Sequence, residues 1–179
     1  MKAFLLILAS AALMSASGEL SGRRAPGFSL PDAHLQQRDI QDYRGKIVVL
    51  DIIQTTCPHC AKFSDILEKL HAKYGSKVAI LSIVNPPDNQ STVGKFAAEH
   101  KITTPILFDC GQASVSYLKA TPQNPSISVP HVFLIDPQGM IRKDYAYEFD
   151  THNIFEGDGL DSEIDQLLAG GETPKAKKK

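Results

Sequence analysis

The sequence Cys57-Pro58-His59-Cys60, here called the CPHC motif, constrains this chain more than any other stretch. It follows an apolar, largely β-branched run at 47–53 and precedes a segment at 61–74 whose apolar residues recur with helical spacing. Two cysteines three positions apart, where a buried strand passes into a helix, are typical of a redox site. The N–H groups and the dipole of the helix N-terminus favour a negative sulfur at that point. We therefore predict that the motif is a redox-active dithiol/disulfide pair.

Each residue of the CPHC motif has an expected role. Cys57 is predicted to be the exposed nucleophile, and Cys60, one helical turn further in, is predicted to be the buried resolving thiol. Pro58 falls in the first helical turn, where its missing N–H costs nothing. A partly cationic His59 would stabilise the thiolate and make the disulfide a stronger oxidant. Two alternatives remain: a purely structural disulfide, or a metal site in which His59 and His131 supplement the two thiolates.

The order of the predicted elements indicates the fold class. An extended segment at 25–32 and a short turn or helix at 39–44 precede the first core strand, and Thr55 or Thr56 is a candidate N-cap for the first long helix. Strands are then predicted at 46–53, 78–84, 106–109, 129–136 and 140–147, and helices at 57–74, 91–97, 113–120 and 161–168. Early strands alternate with helices, and a hairpin plus a helix closes the chain. We therefore predict an α/β fold with a central mixed β-sheet flanked by helices on both faces.

The length of 179 residues suits one globular domain, and the N-terminus resembles a signal for export. Lys2 precedes an apolar segment that runs to Met14, and small residues follow. An uncleaved membrane anchor is the alternative, but the apolar segment is shorter than the roughly 20 residues that a span needs. The predicted organisation is a signal peptide at 1–17, a flexible lead-in at 18–24, the domain at 25–169 and a disordered basic tail at 170–179. Export, which we expect to be to a bacterial periplasm, would place the motif where disulfides persist.

Charge and the third cysteine limit the partners. The formal net charge of −1 gives no reason to expect a nucleic-acid partner, and we expect a monomer. Cys110 leaves an odd number of cysteines, which is unusual for an exported protein. We expect it to be a small buried apolar residue at the end of the 107–110 segment. The alternative is a third redox thiol or an intermolecular bridge.

Four segments together resemble the thioredoxin superfamily, and in their order the exported TlpA/ResA-type (redoxin) thiol–disulfide oxidoreductases. The segment Ala25–Asp32 resembles the opening of that family, and Tyr43–Leu50 resembles its entry into the central strand. The CPHC motif matches its redox motif. The segment Val129–Gly139 resembles the strand after its cis-proline. The resemblance covers residues 25–139 and implies a thioredoxin-like fold and exchange with protein thiols or disulfides.

The resemblance also implies roles for three residues outside the motif. Pro130 would be the cis-proline that faces the cysteines, and Val129 would offer backbone polar groups to a bound substrate chain. Asp51, six residues before Cys57, stands where thioredoxins carry a buried acid that can move the proton of Cys60. The alternatives are an ordinary trans-proline at a strand edge and an aspartate that makes local hydrogen bonds. No cofactor is implied, but a membrane-bound or soluble redox partner is needed.

Departures from the family bear on the direction of the reaction. The segment Ile53–Thr56 stands where relatives commonly have Trp-flanked residues, and His59 with Val129 resembles the oxidising DsbA-type site more than the reducing TlpA-type one.

A peroxiredoxin, with antioxidant activity, is the enzymatic alternative. The positions where such proteins carry Thr and Pro hold Gln54 and Leu50 here, which disfavours it. A copper-binding or copper-delivery protein is the non-enzymatic alternative. We predict an exported thiol–disulfide oxidoreductase whose reduction potential is more oxidising than that of thioredoxin, and the sequence leaves open whether it oxidises or reduces its substrates.

Overall fold

The computed structural model describes residues 20–125 and 127–171. The predicted signal peptide and all but the first two residues of the predicted basic tail lie outside these ranges. The strands are β1 (Ser29–Pro31), β2 (Gln37–Asp39), β3 (Ile47–Ile53), β4 (Val78–Val84), β5 (Ile106–Phe108), β6 (His131–Ile135) and β7 (Ile141–Ala146). The α-helices are α1 (Pro58–Tyr74), α2 (Gln90–His100), α3 (Gln112–Leu118), α4 (His152–Glu156) and α5 (Gly159–Gly171). Short 3-10 helices span Ile40–Tyr43, Gly75–Lys77 and Phe149–Thr151.

The main sheet has five strands in the order β5-β4-β3-β6-β7. The first three run parallel, whereas β6 is antiparallel to β3 and forms an antiparallel hairpin with β7. All seven residues of β3 are buried, as its continuous apolar run predicts for a strand covered on both faces. Strands β1 and β2 form a separate two-stranded antiparallel sheet. The predicted mixed sheet is therefore confirmed.

Helices cover both faces of the main sheet, because side chains of β3 alternate between them. On one face Val48, Leu50 and Ile52 pack with α3 and the N-terminal segment. On the other face Ile47 and Val49 pack with α1, α4 and α5, and Ile53 packs with α1 and α2. None of the helices in the described part of the chain is long and apolar enough to cross a membrane.

The predicted flexible lead-in is attached to the domain over its described part. The Gly22 N–H donates to the carbonyl of Ile141 at 2.9 Å, and the Ile141 N–H donates to the carbonyl of Arg23 at 2.8 Å. The Ser21 hydroxyl donates to the buried Asp144 carboxylate at 2.6 Å. Backbone groups of residues 20–24 therefore pair with the edge strand β7. At the other end, α5 continues to Gly171, slightly past the predicted boundary at 169.

Cys110 is exposed, and the prediction that it is buried was wrong. Strand β5 ends at Phe108, and the chain turns before α3 begins at Gln112. The buried Asp109 occupies the interior position instead, where its carboxylate accepts the N–H groups of Ala113 and Ser114 at the start of α3. The adjacent Cys110 therefore points outward.

Candidate active site

Cys57 is itself the N-cap of α1. Its backbone is extended (φ −89°, ψ 115°), and its Sγ accepts a hydrogen bond from the Cys60 N–H at 3.2 Å. Pro58 occupies the first helical turn, as expected. The prediction that Thr55 or Thr56 caps the helix was wrong: the Thr55 N–H donates to the Asp88 carboxylate at 3.0 Å instead. A sulfur that accepts a helix N-terminal N–H is well placed to carry negative charge.

The two thiols of the motif differ in accessibility. Cys57 is partly exposed and Cys60 is completely buried, and both are free thiols in the structure. Burial, together with the adjacent Cys57 sulfur, raises the pKa of the Cys60 thiol far above its ordinary value. Cys57 is therefore accessible from solvent, whereas the buried Cys60 thiol holds its proton strongly.

Asp51 supplies a buried acid near Cys60. It lies on β3, opposite Ser82 of β4 and Val132 of β6, and is completely buried. Burial raises the pKa of its carboxyl group to about 7, and the Ser82 side chain offsets only part of that effect. Neither carboxyl oxygen has a hydrogen-bond partner among the described residues, which disfavours a purely local structural role. The charge of Asp51 is also one of the causes that raise the pKa of Cys60, as expected for neighbouring groups.

The Val129–Pro130 segment approaches Cys57 from the start of β6. The peptide bond between these residues is cis, as the resemblance implies. The carbonyl oxygen of Val129 lies 4.0 Å from the Cys57 Sγ, and the Val129 side chain is only partly buried. Two segments that are 72 positions apart in the sequence thus form opposite sides of one site.

His59 is bound by residues that we did not predict. Its side chain is 48% exposed and stacks on the Tyr147 ring, with centroids 4.3 Å apart. Its Nδ1 lies 3.8 Å from the Glu156 carboxylate, and the Tyr147 hydroxyl donates to that same carboxylate at 2.6 Å. Tyr147 follows β7 directly and its N–H donates to the Pro130 carbonyl at 3.2 Å. No spacing in the sequence links these residues to the motif, so only the fold identifies them.

His131 does not join the cysteines. Its ring is buried, stacks on Phe133 with centroids 4.6 Å apart, and places Nε2 3.6 Å from the Asp144 carboxylate. Within residues 20–125 and 127–171, no group of three or more His, Cys, Asp or Glu residues is arranged to hold a metal ion. The alternative of a metal site built from the two cysteines and His131 is therefore not supported, because β6 directs His131 to other partners.

A comparison with protein-family models matches residues 21–144 to the AhpC/TSA family. The chain belongs to the AhpC/TSA family. The matched residues contain the CPHC motif, Asp51 and Val129–Pro130, and they begin at the lead-in that pairs with β7.

The chain is also similar in sequence to curated bacterial proteins. The thioredoxin-like protein YneN of Bacillus subtilis is 28% identical over 127 residues, which cover 70% of this chain and 71% of that protein. The thiol–disulfide oxidoreductase ResA of Geobacillus thermodenitrificans is 30% identical over 122 residues, which cover 68% and 67% of the two chains. A solved structure of a thioredoxin-family thiol:disulfide interchange protein from Chlorobium tepidum superposes with a TM-score of 0.65 at 15% identity, covering 82% of this chain and 96% of that one.

These comparisons confirm the predicted family and fold. The chain is a TlpA/ResA-like member of the thioredoxin superfamily, and it is a thiol–disulfide oxidoreductase. The superposition with the solved structure supports the thioredoxin-like fold independently of the sequence matches.

Proposed function

We propose that this protein exchanges a Cys57–Cys60 disulfide with thiols of protein substrates outside the cytoplasm, as a monomer. The observation that carries the proposal is the asymmetry of the two thiols. Cys57 caps α1 and is partly exposed, whereas Cys60 is completely buried beside the unpartnered carboxyl group of Asp51. Thiol–disulfide exchange needs such an accessible sulfur for the mixed disulfide and a protected one that resolves it.

In the oxidising direction, a substrate thiolate attacks the Cys57 sulfur of the disulfide. The Cys57–Cys60 bond breaks, the mixed disulfide forms, and Cys60 leaves as a thiolate that takes a proton. Asp51 supplies that proton, because burial raises its pKa to about 7 and leaves it partly protonated near neutral pH. A second substrate thiolate then attacks the substrate sulfur of the mixed disulfide and releases Cys57 as a thiolate. Two substrate thiols become one disulfide, and the protein disulfide becomes a dithiol.

Val129 and Pro130 form the proposed substrate-binding edge. Their segment lies directly beside the Cys57 sulfur and is not part of β6 itself. An extended substrate chain can pair with backbone groups of Val129, which orients its sulfur for attack. Protein thiols therefore suit this site better than small thiols, which lack a backbone to pair.

We propose that the site works as an oxidant. The Cys57 sulfur accepts the Cys60 N–H and lies at the N-terminus of α1, and both interactions stabilise negative charge on the sulfur of the reduced form, which makes the disulfide easier to reduce. The reduced pair then passes its electrons to a membrane-bound or soluble partner. The N-terminal residues 1–17 support export, and fractionation of cells that produce the full chain tests it.

Trapping the mixed disulfide tests the proposal. In a Cys110→Ser background, Cys60→Ala leaves Cys57 without its resolving thiol, so a covalent complex with a reduced substrate protein should accumulate. The matched Cys57→Ala variant should form none. Equal trapping by both variants, or by neither, would contradict the assigned roles. Rapid hydrogen peroxide consumption by the purified protein, with no disulfide exchange, would favour a peroxidase instead.

A further inference from the structure

His59 is held by two side chains from other parts of the chain. The ring of Tyr147 stacks against the imidazole with an interplanar angle of 30°, and one carboxylate oxygen of Glu156 lies 3.8 Å from its Nδ1. That same oxygen accepts the Tyr147 hydroxyl at 2.6 Å. The three residues come from α1, the segment after β7 and α4, and we call them the His59 cluster. Every pair of residues in the cluster is in contact, so the position of each side chain depends on the other two.

Both partners are attached to other parts of the fold. The Tyr147 N–H donates to the Pro130 carbonyl at 3.2 Å, which ties the tyrosine to the segment that faces Cys57. Glu156 ends α4, whose Phe155 is buried and packs on Phe63 of α1 with ring centroids 4.8 Å apart. The exposed imidazole of His59 therefore lies against a preformed surface.

Glu156 faces His59 as a carboxylate. The hydrogen bond from Tyr147 is the main cause that lowers the pKa of Glu156, and His152, Lys62 and His59 add to it. A carboxylate beside an imidazole favours the imidazolium form. An imidazolium within the CPHC motif in turn favours a thiolate on Cys57. The Glu156 carboxylate would also repel a thiolate on Cys57 directly. Whether removing its charge lowers or raises the oxidising power of the disulfide therefore shows whether its action through His59 or this direct repulsion is larger.

We infer that Tyr147 and Glu156 are positioning residues for the exchange reaction, which hold the His59 side chain in place within the CPHC motif and so raise the oxidising power of the disulfide. The inference rests on the proposed function. Neither residue needs to contact the substrate sulfur. Their effect reaches Cys57 through His59.

The redox equilibrium of the full chain with glutathione tests this inference. The reaction converts the protein disulfide and two glutathione thiols into the protein dithiol and one glutathione disulfide. Glu156→Gln should lower its equilibrium constant about two- to fivefold, the range expected for an exposed ion pair. That change corresponds to about 10–20 mV in reduction potential. Tyr147→Phe keeps the stacked ring but loses the hydroxyl, and it should shift the constant in the same direction.

Three controls separate this role from a structural one. Glu99→Gln removes an equivalent exposed charge from α2 and should leave the constant unchanged. In a His59→Gln background, Glu156→Gln should no longer lower the constant, because only the direct repulsion between the carboxylate and the thiolate is then removed. In 1 M salt, the difference between Glu156→Gln and the native protein should shrink, since exposed charges are then screened.

Two outcomes would overturn the inference: an unchanged or higher constant for Glu156→Gln, or an effect of equal size in the His59→Gln background. The proposed function fails in a different way. If the CPHC motif formed no disulfide at any ratio of oxidised to reduced glutathione, the exchange reaction itself would be excluded.

Discussion

The side chain of Asp51 shows how a single residue links chemistry to stability. It is completely buried and has no hydrogen-bond partner among the described residues, so its charged form is unfavourable. A buried carboxyl group of this kind does not stabilise the fold once it is ionised. Asp51 lies on β3, near enough to Cys60 that its charge contributes to the raised pKa of that thiol.

We expect Asp51→Asn to slow exchange and to stabilise the fold above neutral pH. Raising a carboxyl pKa from 3.8 to about 7 costs up to about 4 kcal/mol once the group is ionised. This penalty is absent below the unfolded-state pKa, develops as the pH rises, and is complete above the folded-state pKa of about 7. Asparagine carries no charge, so the gain in the free energy of unfolding should be present at pH 8.5 and absent at pH 3.5. Urea unfolding at the two pH values measures it, and an equal gain at both would contradict the explanation.

At the scale of secondary-structure elements, α4 supports the site from outside the motif. It has only five residues, but its Ile154 and Phe155 are buried against α1, and its last residue contacts His59. The sequence pattern did not predict this helix, because five residues are too few to show helical periodicity. Its stability comes from tertiary packing rather than from intrinsic helix propensity.

We predict that Phe155→Ala destabilises the protein by about 3–5 kcal/mol, the usual cost of removing a buried phenylalanine. The ring of Phe155 is 1% exposed and packs on Phe63 and Tyr147 with centroids 4.8 and 5.4 Å away. Phe149→Ala, six positions earlier, is the matched control. Its ring is 92% exposed, so its loss should change the free energy of unfolding by no more than about 0.5 kcal/mol. Similar losses in the two variants would show that α4 does not pack as described.

At the scale of the whole molecule, Asp144 joins the N-terminal segment to the sheet. Its carboxylate accepts the Leu20 N–H at 3.1 Å and the Ser21 hydroxyl at 2.6 Å, and it lies 3.6 Å from His131. Burial acts to raise the pKa of Asp144, but the contacts with His131, Ser21 and Leu20 outweigh it and lower the pKa. The carboxylate therefore stabilises the folded state in its ionised form.

We expect Asp144→Asn to destabilise the protein by about 1–3 kcal/mol at pH 7, the cost of disrupting a buried hydrogen-bond network. A lowered folded-state pKa contributes stability above the unfolded-state value, near 3.8, and that stability is lost as the pH falls through the folded-state pKa. The difference from the native protein should therefore shrink in strong acid. Thermal unfolding at pH 7 and pH 2.5 measures it, with the exposed Asp150→Asn as the control. A difference that grows in acid would contradict this account.

Local patterns in the sequence were sufficient for the fold class and for the redox motif. The continuous apolar run of β3, the helical spacing of α1 and the two cysteines between them each depend on neighbours within a few residues. The hairpin could be predicted for the same reason, and the family was predicted from four segments that resemble it, whereas the order of the strands in the sheet is known only from the structure. The roles of Cys57, Cys60, Asp51 and Val129–Pro130 stay predictions, now with a geometry that favours them.

The tertiary structure decided everything that depends on residues distant in the sequence. Glu156 contacts His59 although the two residues are 97 positions apart in the sequence, and no local pattern encodes that contact. The exposure of Cys110, the pairing of residues 20–24 with β7 and the separation of His131 from the cysteines likewise follow from chain packing. Local periodicity reports which face of an element is buried, but it does not report which element covers it. The sequence alone therefore determined that this protein carries an oxidoreductase dithiol at the start of a helix, and only the fold determined which charges surround it.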